Sequence, residues 1–255
     1  MSSPTWTPAA LSSDRKVYHS DCWRLVEAQH LVSTQKLADT LAEQTLLEQL
    51  LEGTKPSLPI EAQGLHYLMA APFRYGAIYP HGSRFRRAGR TLGVFYGSER
   101  PATAAAEMAF YRLLFYAESP ETIWPSNPAE YTAFKVPVRS VAALDLTLPP
   151  LDRDNRLWTD LNDYAACQAL ADSARLAAID LIRYHSVRDP NHDANLALLT
   201  TAAFVNREPT AFETWRIKVG AFGAQVIREF PIERFEFDRA AFAADPRLSE
   251  MRWER

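Results

Sequence analysis

The stretch GVFYGSERPATAAAEMAFYR, residues 93–112, reads as a strand, a tight turn and a helix. Ser98 is placed to N-cap the helix, and Pro101 is tolerated in its first turn. The apolar pattern carries the helix to about Tyr116. Thr103, Glu107 and Tyr111 then share one face at i, i+4 and i+8. Ala102, Ala106 and Phe110 or Leu113 form a neighbouring apolar stripe that should face a sheet, with Glu107 at its margin. Periodicity alone reads Glu107 as a solvated acid on an amphipathic helix. The alanines suggest another reading, because small side chains leave room for a ligand beside the carboxylate. At this level both readings stand.

Around this stretch the chain reads as a mixture of short strands and irregularly interspersed helices. Residues 1–20 are a loose start. Residues 21–52 read helical, with Trp23, Val26, Leu37, Leu41 and Leu50 near helical spacing, and Gly53 and Pro56 ending the run. GTKPSLP is a linker, and LHYLMAAPFRY is a short strand from Leu65 broken at Pro72. GAIYPHGSRFRRAGRT is a basic loop. YTAFKVPV and VAALDLT read as two strands, and TDLNDYAACQALAD and SARLAAIDL as helices. LIRYHSV and NLALLT are strands joined by the turn-rich RDPNHDA, and ETWRIKVG with AQVIREF makes a hairpin. There is no clean βαβ period, no internal repeat and no low-complexity tract, so the class is α+β or mixed α/β. The boundaries drawn are an N-terminal helical extension at residues 1–60 and a catalytic domain at 61–255.

The 255 residues are 47% apolar and 23% charged, ordinary values for a globular protein. The net charge of −3 excludes a generally basic, nucleic-acid-binding surface, so any anion site must be local. No apolar run approaches a membrane span. The first residues lack a basic start followed by an apolar core, which points to a cytoplasmic location. Cys22 and Cys167 match neither a disulfide framework nor a zinc site and read as reduced, partly buried thiols. The nine glycines include no G-x-G-x-x-G or Walker A pattern. The spacing of His185, His192 and Asp193 fits no metal site, and neighbours His185 and Ser186 on a strand would face opposite ways.

Arg74-Tyr75, Ser83-Arg84-Phe85, GVFYGSERPATAAAE and RYHSVRDPNHDANLAL together resemble the RES-domain family, toxins of RES–Xre toxin–antitoxin modules. The matching order is Arg74, Arg84, Tyr96, Glu107, Ser186 and Asn195, over roughly residues 65–200. The interval from Glu107 to Ser186 is longer than in compact members. The resemblance implies a fold similar to the ADP-ribosylating bacterial toxins: a split, mostly antiparallel sheet with flanking helices and NAD⁺ in its cleft. It also implies NAD⁺ as substrate rather than cofactor, no metal, and an Xre-type antitoxin as partner.

Splitting the nicotinamide–ribose bond expels neutral nicotinamide, so no general acid is needed. One carboxylate can stabilise the oxocarbenium-like ribose. That is the role the resemblance gives Glu107. Tyr96 would stack on the nicotinamide ring, and Arg74 and Arg84 would fork onto the pyrophosphate. Ser186 would bond the ribose or the attacking group, or else be a buried hydroxyl satisfied by backbone. Tyr75 and Asn195 are further substrate contacts. Arg86, Arg87 and Arg90 read as solvated. Hydrolysis, phosphorolysis with inorganic phosphate as co-substrate, mono-ADP-ribosylation of a protein acceptor, and a non-catalytic binding module all remain open. The helices of residues 21–52 are expected to serve assembly, including self-association.

Overall fold

The computed structural model describes residues 6–28, 37–74, 82–89 and 92–254. Among these, one eight-stranded sheet organises the molecule, with β1 (Lys16–Glu27), β2 (Phe95–Ser98), β3 (Ala129–Asp145), β4 (Leu181–His185), β5 (Ala194–Leu198), β6 (Ala211–Gly220), β7 (Gly223–Arg228) and β8 (Glu233–Asp238) in the order β1-β2-β5-β4-β3-β6-β7-β8. Every pairing is antiparallel except β3 with β4. The helices are α1 (Pro8–Asp14), α2 (Leu41–Thr54), α3 (Tyr67–Arg74), α4 (Pro101–Glu118), α5 (Asn155–Trp158), α6 (Ala165–Leu176) and α7 (Pro246–Ser249). The class is α+β, with the mostly antiparallel sheet that was expected.

Strand β3 explains why the sheet is split. One of its edges pairs with β1 from Lys16↔Ala143 to Glu27↔Tyr131. The other edge is divided: residues 129–135 pair with β6, and residues 143–145 pair with β4. Pro137 lies in the gap between those partners, where its carbonyl accepts from the Val205 N–H. On that side a missing N–H breaks no ladder bond, so a single 17-residue strand runs through the proline. The two strands expected here are therefore one. Because β1 also touches β2 at Trp23↔Ser98, strands β1, β2, β5, β4 and β3 form a closed ring. Gly97 is required at that seam, since a Cβ there would come within 2.4 Å of Cys22 Sγ.

The N-terminal half departs most from the sequence reading. Residues 8–14 are helical rather than loose, and residues 16–27 are one strand, where 16–20 read as loose and 21–27 as helix. Val17, Tyr18, Trp23 and Val26 suit a strand as well as a helix face, and pairing along β3 decides the matter. The 1–60 segment is thus not a separate helical extension, because β1 is part of the sheet. Helix α2 does lie in the span expected to be helical; Thr40 and Glu43 cap it reciprocally, and none of its residues is buried. Residues 67–74 form α3 with Pro72 inside it, where a strand was expected. The two helices read over residues 159–181 reduce to the single helix α6.

Three buried clusters hold these elements together. Helix α4 lays Ala105, Ala106, Ala109, Phe110 and Leu113 against Trp215, Ile217, Val226 and the C-terminal Phe242 and Leu248. Phe85, Leu144, Leu170 and Ile182 pack beneath α1 and α6. Met69, Phe73, Phe95, Phe134 and Leu198 pack between α3 and the ring. Cys22 and Cys167 are free and fully buried, and burial pushes the Cys22 thiol up to about 12. Among the described residues no helix is long and apolar enough to cross a membrane.

Candidate active site

Most alanines of α4 serve packing rather than a ligand. Ala105, Ala106 and Ala109 are buried in the core, letting the helix approach the sheet closely, and Ala104 is the one that lines a cavity. That cavity has a volume of about 460 Å³, within the range of small-molecule sites. Its walls come from β1, β2, β5, α4 and the segments around residues 82–84, 164, 184–188 and 247. Among the described residues, Glu107 is its one acidic lining residue.

Glu107 is held by two donors on the same oxygen. Ser186 Oγ and Asn195 Nδ2 each lie 2.6 Å from Glu107 Oε1. Oε2 has no partner among the described residues. Ser98 Oγ donates to Asn195 Oδ1 at 2.6 Å, so the amide's acceptor is satisfied and its N–H₂ group turns towards the carboxylate. Ser98 is therefore bound to Asn195 rather than N-capping α4. The cap position is Arg100, without a side-chain bond, and Pro101 opens the helix. Ser186 is fully buried, and its Oγ also accepts from the N–H groups of Arg188 and Asp189. Its hydroxyl is thus bonded to Glu107 and to two backbone N–H groups inside the protein.

The i, i+4, i+8 face of α4 has three separate jobs. Thr103, fully buried, donates to Asp189 Oδ2 at 2.7 Å and ties the helix to the loop that carries Ser186. Glu107 sits one turn later, and Tyr111 one turn later again at the cavity wall. Burial and the charge of Glu107 raise the Tyr111 phenol, and the same two causes raise that of Tyr184 across the cavity.

Arginines dominate the remaining wall. Arg84 is 8% exposed, donates to the carbonyl oxygens of Trp158 and Asp160, and stacks 4.7 Å over Tyr164. Arg24 of β1 donates to the Tyr96 carbonyl at 2.6 Å, and burial lowers its guanidinium from the usual value. Neither has a carboxylate partner among the described residues, so both charges remain available to an anion. Arg188 and Arg247 line the cavity as well, paired with Asp245 behind it.

The other sequence-level candidates are placed as follows. Tyr96 lines the cavity, with its hydroxyl 2.9 Å from Ser83 Oγ and accepting from the Phe85 N–H at 3.0 Å. It therefore anchors the 82–89 segment that carries Arg84. Arg74 is not at the cavity; it ends α3 and pairs with Glu52 of α2 at 2.5 Å. Tyr75 and Arg90 lie outside the described residues. Arg86 is buried rather than solvated, while Arg87 pairs with Asp172 at an exposed position.

The residues missed from sequence are Arg24, Tyr164, Tyr184, Arg188 and Arg247. Arg24 was hidden by the helical reading of its segment. Asp245-Pro246 is an N-cap followed by a first-turn proline, a signal that could have marked the short helix bearing Arg247.

The site is a cleft between a split sheet and a helix of an α+β protein, with one carboxylate and several arginines among its described lining residues. The chain belongs to the RES domain family, whose model matches residues 58–219, more than half of its length. Arg24, Asp245 and Arg247 fall outside the matched span. No curated relative matches the chain. Among solved structures, the M. tuberculosis MbcT–MbcA toxin–antitoxin complex is similar at 14% identity and a TM-score of 0.45, over 75% of this chain and 80% of that one. That likeness is too distant to bear on function.

Proposed function

We propose that this chain is the toxin of a toxin–antitoxin module and acts by removing nicotinamide from NAD⁺. The observation that carries the reading is Glu107: a carboxylate fixed through one oxygen by Ser186 and Asn195, with the other oxygen unpartnered, in a cavity lined by arginines. In the reaction, the bond between ribose C1′ and the pyridinium nitrogen breaks. Its electron pair leaves with nicotinamide, which departs neutral, and positive charge builds on the ribose. Glu107 stabilises that charge and accepts from a ribose hydroxyl through Oε2. Holding one oxygen by two donors orients the carboxylate before the charge develops, so little reorganisation is needed at the transition state. Arg24 and Arg84 bind the pyrophosphate, and Tyr96, Tyr111 and Tyr184 supply aromatic walls for the nicotinamide ring. Water completes hydrolysis, giving ADP-ribose and a proton. Inorganic phosphate in its place gives ADP-ribose carrying a phosphate at C1′. A cognate antitoxin of the Xre type would suppress the activity in the cell.

The test is nicotinamide release from NAD⁺ by the purified chain and by Glu107→Gln, with the fold checked by circular dichroism. The expected result is release by the wild type and loss of about 100- to 1,000-fold in the variant. A folded variant that turns over NAD⁺ normally would overturn the role of Glu107. Wild type that releases no nicotinamide alone, but transfers label from NAD⁺ to protein when cell extract is added, would support the transferase reading instead. Wild type inactive in both assays would leave a binding module.

A further inference from the structure

Asp245 is 1% exposed and carries two guanidinium groups. Arg188 Nη1 reaches its Oδ2 at 2.8 Å, and Arg247 grips it with two prongs, Nε to Oδ1 at 3.0 Å and Nη2 to Oδ2 at 2.8 Å. One carboxylate thus neutralises one of two cations, and a net positive charge is left on the pair. The two cations are not equivalent. Arg188 has a side chain 4% exposed, donates its remaining Nη2 to the Leu161 carbonyl, and lies 3.7 Å above the Phe110 ring. Arg247 is 37% exposed on its side chain, lines the cavity, and has no partner for Nη1 among the described residues. The excess charge is therefore presented to the cavity through Arg247.

The position matters as much as the charge. Both guanidinium groups lie over Phe110, which follows Glu107 by three residues, about 4.5 Å along the helix axis. An anion at Arg247 would sit in the same cavity that Glu107 lines. The buried pair behind Arg247 keeps the fork rigid, so little side-chain entropy is lost when a ligand arrives.

We infer that Arg247, braced by Asp245 and Arg188, is a phosphate-binding subsite of the cavity that Glu107 lines and a specificity determinant supplied by the C-terminal segment, outside the span of the family match. The ligand chemistry is a phosphate group, either free inorganic phosphate or a phosphate of the bound dinucleotide. Only this choice of source rests on the NAD⁺ reading.

The experiment is isothermal titration of the full chain with inorganic phosphate and, separately, with ADP-ribose, in phosphate-free buffer at low salt. Wild type, Arg247→Ala and Arg247→Gln are compared, with NAD⁺ turnover measured on the same samples. Arg247→Gln keeps a hydrogen bond to Asp245 without the charge and carries the test should Arg247→Ala not fold. Weakening of about tenfold for free phosphate identifies a free-phosphate subsite. The same weakening confined to ADP-ribose assigns Arg247 to the dinucleotide's own phosphate; either result supports the inference. Unchanged binding of both ligands in the folded variants overturns it, as does wild type that binds neither. Phosphate binding that depends on Arg247, in a protein that leaves NAD⁺ intact, would reject the proposed activity and keep the subsite. Normal NAD⁺ cleavage with unaltered ligand binding in the variants would do the reverse.

Discussion

Ser186 Oγ donates to Glu107 Oε1 at 2.6 Å from a position with no solvent exposure. The two residues are 79 apart in the chain and come together because β4 ends beside α4. The serine's proton goes to the carboxylate. Its lone pairs, in turn, accept the N–H groups of Arg188 and Asp189, so the same atom organises the loop that returns the chain to β5.

Ser186→Ala should therefore damage stability and turnover together, by separate routes. Two buried N–H groups lose their acceptor, at a cost of about 1–3 kcal/mol, measurable by urea unfolding. Glu107 loses one of its two donors, so kcat should fall while KM for NAD⁺ changes little. A rise in KM at constant kcat would place the hydroxyl on the substrate and refute the positioning role.

Arg84→Ala and Arg74→Ala should behave differently, although the sequence treats the two as equivalent. Arg84 lines the cavity without a carboxylate partner, so its removal should raise KM for NAD⁺ by roughly 10- to 100-fold, the size of a charged hydrogen bond. Arg74 bonds Glu52 away from the cavity, and its replacement should leave both kinetic constants near wild type. Equal effects in the two variants would contradict this placement.

Acid should weaken the fold through Glu99 and Asp245. Burial opposes ionisation of Glu99, but hydrogen bonds from Arg183 and Tyr18 and the charge of Arg183 outweigh it, and the carboxyl stays below its ordinary value. Asp245 follows the same logic: burial opposes, and the bonds from Arg247 and the charges of Arg188 and Arg247 prevail. A depressed carboxyl contributes stability that is fully present above its unfolded-state value and is lost as pH falls through the folded-state value. Unfolding free energy should thus be flat near neutrality and drop below about pH 4. Glu99→Gln should be less stable than wild type at pH 7 and should show a shallower acid slope. An unchanged slope would show that Glu99 contributes nothing to it.

Local sequence sufficed for the features that depend on near neighbours. The strand–turn–helix of residues 95–118 and the β4–β5 and β6–β7 pairs follow from periodicity and from proline and glycine placement, though Ser98 does not cap the helix; the span read as helical at 21–52 contains most of α2, but not the signal of its Thr40 cap. The i, i+4 spacing also put Thr103, Glu107 and Tyr111 on one face, as the structure has them. The order of motif residues identified the family on its own.

Long-range pairing decided the rest. Residues 16–27 carry side chains compatible with helix or strand, and only the edge offered by β3 makes them a strand and turns Arg24 into the cavity. Pro137 looked like a strand break until the divided edge of β3 removed the need for its N–H. Arg74 and Arg84 are equally basic as letters, but the ends of their segments point to Glu52 in one case and to the carbonyls of residues 158–160 in the other. Arg247 reaches the site across more than half of the chain, bound to an aspartate two residues away that also holds an arginine fifty-nine residues back. A periodic pattern records which face of an element is apolar; it carries no information about which distant element that face will meet, and the cationic side of this cavity is built from such meetings.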